Sequence, residues 1–353
     1  MIPFRRGSET LVADHAADFP SNLRKPTSAE LGNVVEAKPV IWPGIQGLQA
    51  DGSVTTGPTG QPWVNSNTAS VRIAKFKNPG KQVWVGSMPR SGARDEEFVL
   101  AVADAAQCGA QWIVAEGGDA KRVQLALQFF ARHQEWGEWE PVGALGIISD
   151  FNAPIEQEFL NLATRRGLST RILNQNKPQG LAGLKAVFWL REKAPDEQTL
   201  KFFQQWAEPG NLLLLPHGSK VDGAAAEEHG HKVYKTGKGR VAVPLEAWAD
   251  PYALVHQAHL LLSRRYDVMR LWNGGSLNPH YTQSADGKLA VIQLVNYTAR
   301  STSNVTLGLD KKFQKARLYT FADVRELKIE AARTGVEIPL PAVGVYAAIE
   351  VEL

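Results

Sequence analysis

Over the first two-thirds of the chain, short apolar runs alternate with stretches of helical period. This alternation predicts strands of a parallel sheet joined by crossover helices. The first three runs are Pro39-Val40-Ile41-Trp42, Gln82-Val83-Trp84-Val85-Gly86 and Trp112-Ile113-Val114-Ala115. Three such β/α units match the closing part of an eight-stranded barrel whose opening strands are absent; the chemistry of such a barrel sits where its strands end. Asn65-Ser66-Asn67-Thr68 offers N-caps for a helix over Ala69–Phe76. Phe98 to Gly109 reads as a small-residue helix stopped by glycine, and Val123–His133 as the next helix.

A second pattern begins near Val142. Strands are predicted over Val142–Ser149, Ser169–Leu173, Leu184–Leu190 and Asn211–Leu215, with helices over Pro154–Arg166 and Asp196–Trp206. That order predicts a doubly wound sheet. Gly237-Lys238-Gly239 marks a hairpin, and a helix over Pro251–Tyr266 closes the segment. From Lys288 onward, short β-branched runs separated by turns predict a small antiparallel sandwich. The fold class is therefore α/β, in three parts: a partial (β/α) barrel over 1–140, a doubly wound domain over 141–272 and a β-sandwich over 273–353.

Composition narrows the function classes. The chain has 353 residues, 44% hydrophobic and 21% charged, with a net charge of +3. Interleaved charges such as Arg94-Asp95-Glu96-Glu97 leave no footprint for nucleic acid. No run approaches the about 18 apolar residues of a membrane span. The N-terminus lacks the apolar core of a signal peptide, so the chain as written reads as cytoplasmic; a native start further upstream would allow secretion or a periplasmic location. The single cysteine, Cys108, excludes an intrachain disulfide and reads as a buried thiol. No cofactor or metal is expected: His229-Gly230-His231 offers two ligands without a third.

A hydrolase that cleaves glycosidic bonds usually carries two carboxyl groups about 5 Å or 6.5–9.5 Å apart. Only the third unit places acids after its strand, Glu116 and Asp119 in Ala115-Glu116-Gly117-Gly118-Asp119. Glu30 and Glu36 precede the first predicted strand. Trp42, Trp84 and Trp112 hold comparable places in successive strands, and Trp63 lies at the end of the long loop that runs from Gln49 to Pro62. They read either as an aromatic rim suited to sugar stacking or as core packing. Arg90 is a candidate anion contact or a surface residue.

The order of domains resembles the family 42 β-galactosidases and related multidomain glycoside hydrolases. Gly143-Ala144-Leu145-Gly146-Ile147-Ile148-Ser149, Thr164-Arg165-Arg166-Gly167-Leu168 and Gly239-Arg240-Val241-Ala242-Val243 carry most of the likeness, with Gln293-Leu294-Val295-Asn296-Tyr297 and Val345-Tyr346-Ala347-Ala348-Ile349 adding to it. The resemblance implies a flavodoxin-like domain of class I amidotransferase fold that helps build a trimer. It transfers no catalytic residue, because Gly86 and Ser87 follow the strand that matches the family's nucleophile strand. The expected function is a glycoside-hydrolase-related protein binding or acting on carbohydrate. The alternative is an assembly protein that oligomerises through the doubly wound domain or whose barrel a partner chain completes.

Overall fold

The structure, a computed structural model, describes residues 3–6, 9–12, 34–37, 43–45, 64–86, 94–113, 120–174, 180–298 and 301–353. The chain forms two compact units, Met1–Glu140 with Leu271–Leu353, and Pro141–Arg270. Residues 1–140 and 273–353, separate in the sequence reading, thus share one unit.

In the first unit three parallel strands, Val34–Glu36, Gln82–Gly86 and Ala110–Ile113, lie side by side with Gln82–Gly86 in the centre. Helices Thr68–Lys77, Asp95–Ala106 and Ala120–Arg132 alternate with them. The run read as the opening strand, 39–42, lies outside the described residues, and Val34–Glu36 is the first of the three parallel strands described. One reading is corrected. The third strand begins two residues earlier than the apolar run, at Ala110.

The helix Asp95–Ala106 is buried nearly all round, from Phe98 to Ala105. Its small side chains permit this, because the helix lies between two cores. Phe98, Val99, Ala101, Val102 and Ala105 pack with Val83, Val85 and Trp112 of the parallel sheet. Leu100 and Ala103 pack with Val291, Val295, Tyr346 and Ala348 of the C-terminal strands. Those strands form a six-stranded sheet with the two-residue strand Glu140–Pro141 at one edge, and a separate four-stranded sheet is also formed. The strand Leu289–Asn296 is buried on both faces, as a middle layer must be.

The strand Leu277–Gln283 carries Pro279 and the polar side chains of Asn278, His280, Thr282 and Gln283, and escapes pattern reading. It pairs fully with Leu289–Asn296 on one side, while its other neighbour is the two-residue edge strand. A missing N–H is tolerated at such a position.

The second unit is a seven-stranded sheet. Its parallel strands, taken in chain order as Leu145–Ile148, Thr170–Ile172, Ala186–Trp189, Leu212–Leu214 and Gly239–Pro244, are arranged 2-1-3-4-5, a doubly wound order. His231–Thr236 and Ala225–Glu228 extend it antiparallel. Local chemistry sets the helix starts. Asp196 accepts from the Thr199 amide at 2.8 Å, Asp250 accepts from Tyr252 at 2.9 Å, and Pro251 stands in the first turn.

Candidate functional site

Barrel chemistry is carried at the C-terminal ends of parallel strands. Of the residues singled out there, Trp42, Trp63, Arg90, Glu116 and Asp119 lie outside the described residues. Trp84 and Trp112 are described, and they do not form one rim. The strands pair Trp84 with Gln111 and Val85 with Trp112. Side chains alternate along a strand, so the two tryptophans project from opposite faces. Trp112 joins the helix-facing core, in edge-to-face contact with Phe98 at 6.1 Å. Trp84 takes the other face, which would be the interior of a barrel. It is buried, yet its indole N–H meets no acceptor among the described residues.

Register adds a position that pattern reading placed before the sheet. Glu36 is the last residue of the first parallel strand and pairs with Trp84. Glu36, Trp84 and Gln111 therefore form one row across three strands, and Gln111 is exposed. The missed signal was the short Val34-Val35 pair, too brief to stand out beside Pro39–Trp42.

Behind that face sits a buried polar knot. Asp104 has no solvent exposure. Its carboxylate accepts from Ser66 Oγ at 2.8 Å, from the Asn67 amide at 2.9 Å and from the Tyr297 hydroxyl. Burial pushes the Asp104 carboxyl above its usual range, opposed by these hydrogen bonds. Burial and the Asp104 charge drive the Tyr297 phenol well above its own. Gln293 Nε2 donates to the Gln107 carbonyl at 3.0 Å, while Gln293 Oε1 accepts from the Tyr346 hydroxyl at 2.8 Å. Asp104 and Gln107 follow Leu100 at helical spacing, so the face of the helix that meets the antiparallel sheet is part polar. One acid inside the otherwise apolar stretch Phe98–Ala106 was the visible signal.

Cys108 is buried, and its thiol is pushed up to about 12 by burial. At neutral pH it holds no thiolate to act as a nucleophile. Asn296-Tyr297-Thr298 matches the Asn-x-Thr glycan acceptor pattern, but Asn296 is buried and donates to the Val343 carbonyl, which leaves no room for a glycan in the folded chain. No cluster of three metal-ligating side chains occurs among the described residues. Among the same residues no helix is long and apolar enough to cross a membrane.

The doubly wound unit has its own default ligand crevice, where strand order reverses between Leu145–Ile148 and Ala186–Trp189. Here the chain fills it. The Glu156 carboxylate accepts from Ser149 Oγ and from the Asn152 amide, each at 2.9 Å, at the N-terminus of helix Pro154–Arg165. That is the position an anionic ligand takes at a helix start. Phe151, in the turn between, is held at φ +52°, in the left-handed region, with its ring buried. Asp150 and Arg191 pair across the mouth, and Arg191 lies 5.6 Å over Trp189. The usual nucleotide or phosphate site is thus occupied by side chains of the protein itself.

Solved structures align with this fold over most of the chain. The α-L-fucosidase isoenzyme 2 of Paenibacillus thiaminolyticus does so with a TM-score of 0.56 and 9% identity, over 81% of this chain and 62% of its own. A catalytic mutant of a GH42 β-galactosidase from G. stearothermophilus gives 0.53 and 9%, over 82% and 57%. The fold is glycoside-hydrolase-like. A rhamnosidase from Novosphingobium sp. PP1Y agrees, with 0.55 and 10%, over 91% of this chain and 34% of its own. The chain spans less than two-thirds of each of these glycoside hydrolases. No family model matches the sequence, and no curated protein matches it.

Proposed function

We propose that this chain binds carbohydrate at the C-terminal ends of its parallel strands. The proposed frame is a partial (β/α) barrel, an amidotransferase-like doubly wound domain and a small β-sandwich. One observation carries the reading: the fold aligns over 81–91% of the chain with a fucosidase, a β-galactosidase and a rhamnosidase. The Trp84 indole supplies an uncommitted N–H donor on the sheet face opposite the helices, beside Gln111. In this proposal Glu36, Glu116 and Asp119 bring carboxylates to the strand ends, with Trp42, Trp63 and Arg90 around them.

Neighbouring strands lie about 4.8 Å apart, so groups carried by the two outer strands are roughly 9–10 Å apart. That is near the upper end of the separation used by inverting glycosidases. Hydrolysis enters the proposal only through such a pair. A glycan array on the full chain is expected to retain a galactoside, fucoside or rhamnoside. Glu36→Gln and Glu116→Gln are each expected to weaken retention about tenfold, roughly 1.4 kcal/mol. Any turnover of the matching nitrophenyl glycosides falls with the same substitutions. Retention of no glycan at all removes the proposal.

A second reading, assembly through the doubly wound unit, draws support from the strand Ala225–Glu228. This strand is largely exposed and pairs on one side only, a template for another chain. It predicts a stable homo-oligomer, and light scattering from a clean monomer at micromolar concentration would remove it.

A further inference from the structure

The N-terminal ends of Gln82–Gly86 and Ala110–Ile113, opposite the end at which barrel chemistry sits, border a cavity of about 510 Å³. All of its lining is described and belongs to the first unit. This volume lies within the usual range for small-molecule sites. Leu127 and Phe130, both half-buried on the helix Ala120–Arg132, form an apolar wall. The Phe130 ring is fixed by edge-to-face contact with Tyr346 at 4.9 Å. Gln82, Gln111 and Gln134 stand exposed on the rim.

Three carboxamides around an aromatic wall select a particular chemistry. A carboxamide presents a donor and an acceptor side by side, as does each hydroxyl of a sugar. The apolar C–H face of a pyranose ring suits an aromatic surface. Charge on the rim is mostly compensated: Lys75 donates to the Gly137 carbonyl at 2.6 Å and pairs with Glu138 at 3.3 Å, leaving Lys81 out in solvent. An anionic ligand would find no buried cation to meet it. The same Lys75 contact ties the wall together, because Gly109, at φ +77°, lets Lys75 and Gly137 approach its Cα.

We propose that this cavity is a second saccharide site, taking a neutral mono- or disaccharide through Gln82, Gln111, Gln134 and the Phe130 wall. It rests on the carbohydrate reading for the class of ligand, but uses none of the residues assigned to the strand ends except Gln111. The test titrates lactose, L-fucose and L-rhamnose into the full chain and follows binding by calorimetry. Two cavity variants are compared: the double variant Gln82→Ala, Gln134→Ala, which trims exposed side chains, and Ala131→Trp, which obstructs the opening from an exposed position. Wild type is expected to show two classes of site for one of these sugars. Each cavity variant is expected to lose one class by about tenfold, while Glu36→Gln spares that class. Unchanged isotherms in both cavity variants would overturn the second site and leave binding at the strand ends standing. Failure of wild type to bind any of the three would overturn the cavity site, and an empty glycan array as well would end the carbohydrate reading.

Discussion

Tyr297, on the segment after the strand Leu289–Asn296, donates its hydroxyl to the carboxylate of Asp104, 193 residues away on the helix Asp95–Ala106. The contact ties the antiparallel sheet to the β/α segment inside a site without solvent. Tyr297→Phe leaves Asp104 buried with one donor fewer. A hydrogen bond to a charged group is worth about 1.5–3 kcal/mol, and that is the expected loss in urea unfolding. Ser66→Ala removes a partner nearer the edge and is expected to cost less. Equal stability for Tyr297→Phe and wild type would show that the knot does not hold the layers.

Acid is expected to weaken the first unit through His280. This imidazole is largely enclosed, and burial, with smaller contributions from Arg72 and Lys75, pushes it down to about 3. The unfolded chain takes up the proton near the ordinary value of about 6.5, well before the folded one does. Stability from this group is therefore complete above about pH 6.5 and lost as pH falls towards 3. Asp104 has the opposite sign, because its raised carboxyl binds a proton more readily folded than unfolded, so its term declines as pH rises. Urea midpoints measured at pH 7, 5 and 4 should fall steeply for wild type and less for His280→Gln. Parallel slopes would remove His280 as the cause.

Removing the carboxylate that fills the doubly wound crevice should create a vacant anion site. Glu156→Ala leaves the Asn152 amide and Ser149 hydroxyl without their acceptor. Loss of such a cap costs about 0.5–2 kcal/mol. Added sulfate is expected to raise the melting temperature of the variant more than that of wild type. Equal responses would mean that the helix start is closed by something other than Glu156.

Two glycines with the same backbone angle should respond differently to alanine. Gly109, at φ +77°, would bring a Cβ within 2.5 Å of Lys75 Nζ and 2.6 Å of the Gly137 carbonyl oxygen. Gly80, at φ +79°, has nothing within 4 Å. Gly80→Ala carries the backbone penalty alone, about 1 kcal/mol, whereas Gly109→Ala adds a clash with a carbonyl that cannot move aside. Thermal melts of the two variants make the comparison, and matching shifts would contradict the close packing of Lys75, Gly109 and Gly137.

Local chemistry made much of this architecture legible. The helix predicted over Pro154–Arg166 is Pro154–Arg165, the first of the β-branched runs read after Lys288 is the strand Leu289–Asn296, and the hairpin turns at Gly237 as its glycines require. Proline in a first turn, an Asp cap and β-branched alternation each act within a few residues, so order along the chain suffices to show them. The same reading failed at Leu277–Gln283, where Pro279 and polar side chains hide a strand that its neighbour stabilises.

The candidate site depended on relationships that span the fold. Apolar patterning alone says that Trp84 and Trp112 belong to strands, and it could equally describe a shared rim or a core. Only pairing register sends them to opposite faces, because slipping a strand by one residue exchanges every side chain between its two sides. Glu36 joins the row of Trp84 for the same reason, and Tyr297 reaches Asp104 only when two sheets close on one helix. Composition, caps and periodicity establish which elements form; packing between distant segments settles which side chains meet, since no short-range preference records a partner hundreds of residues away.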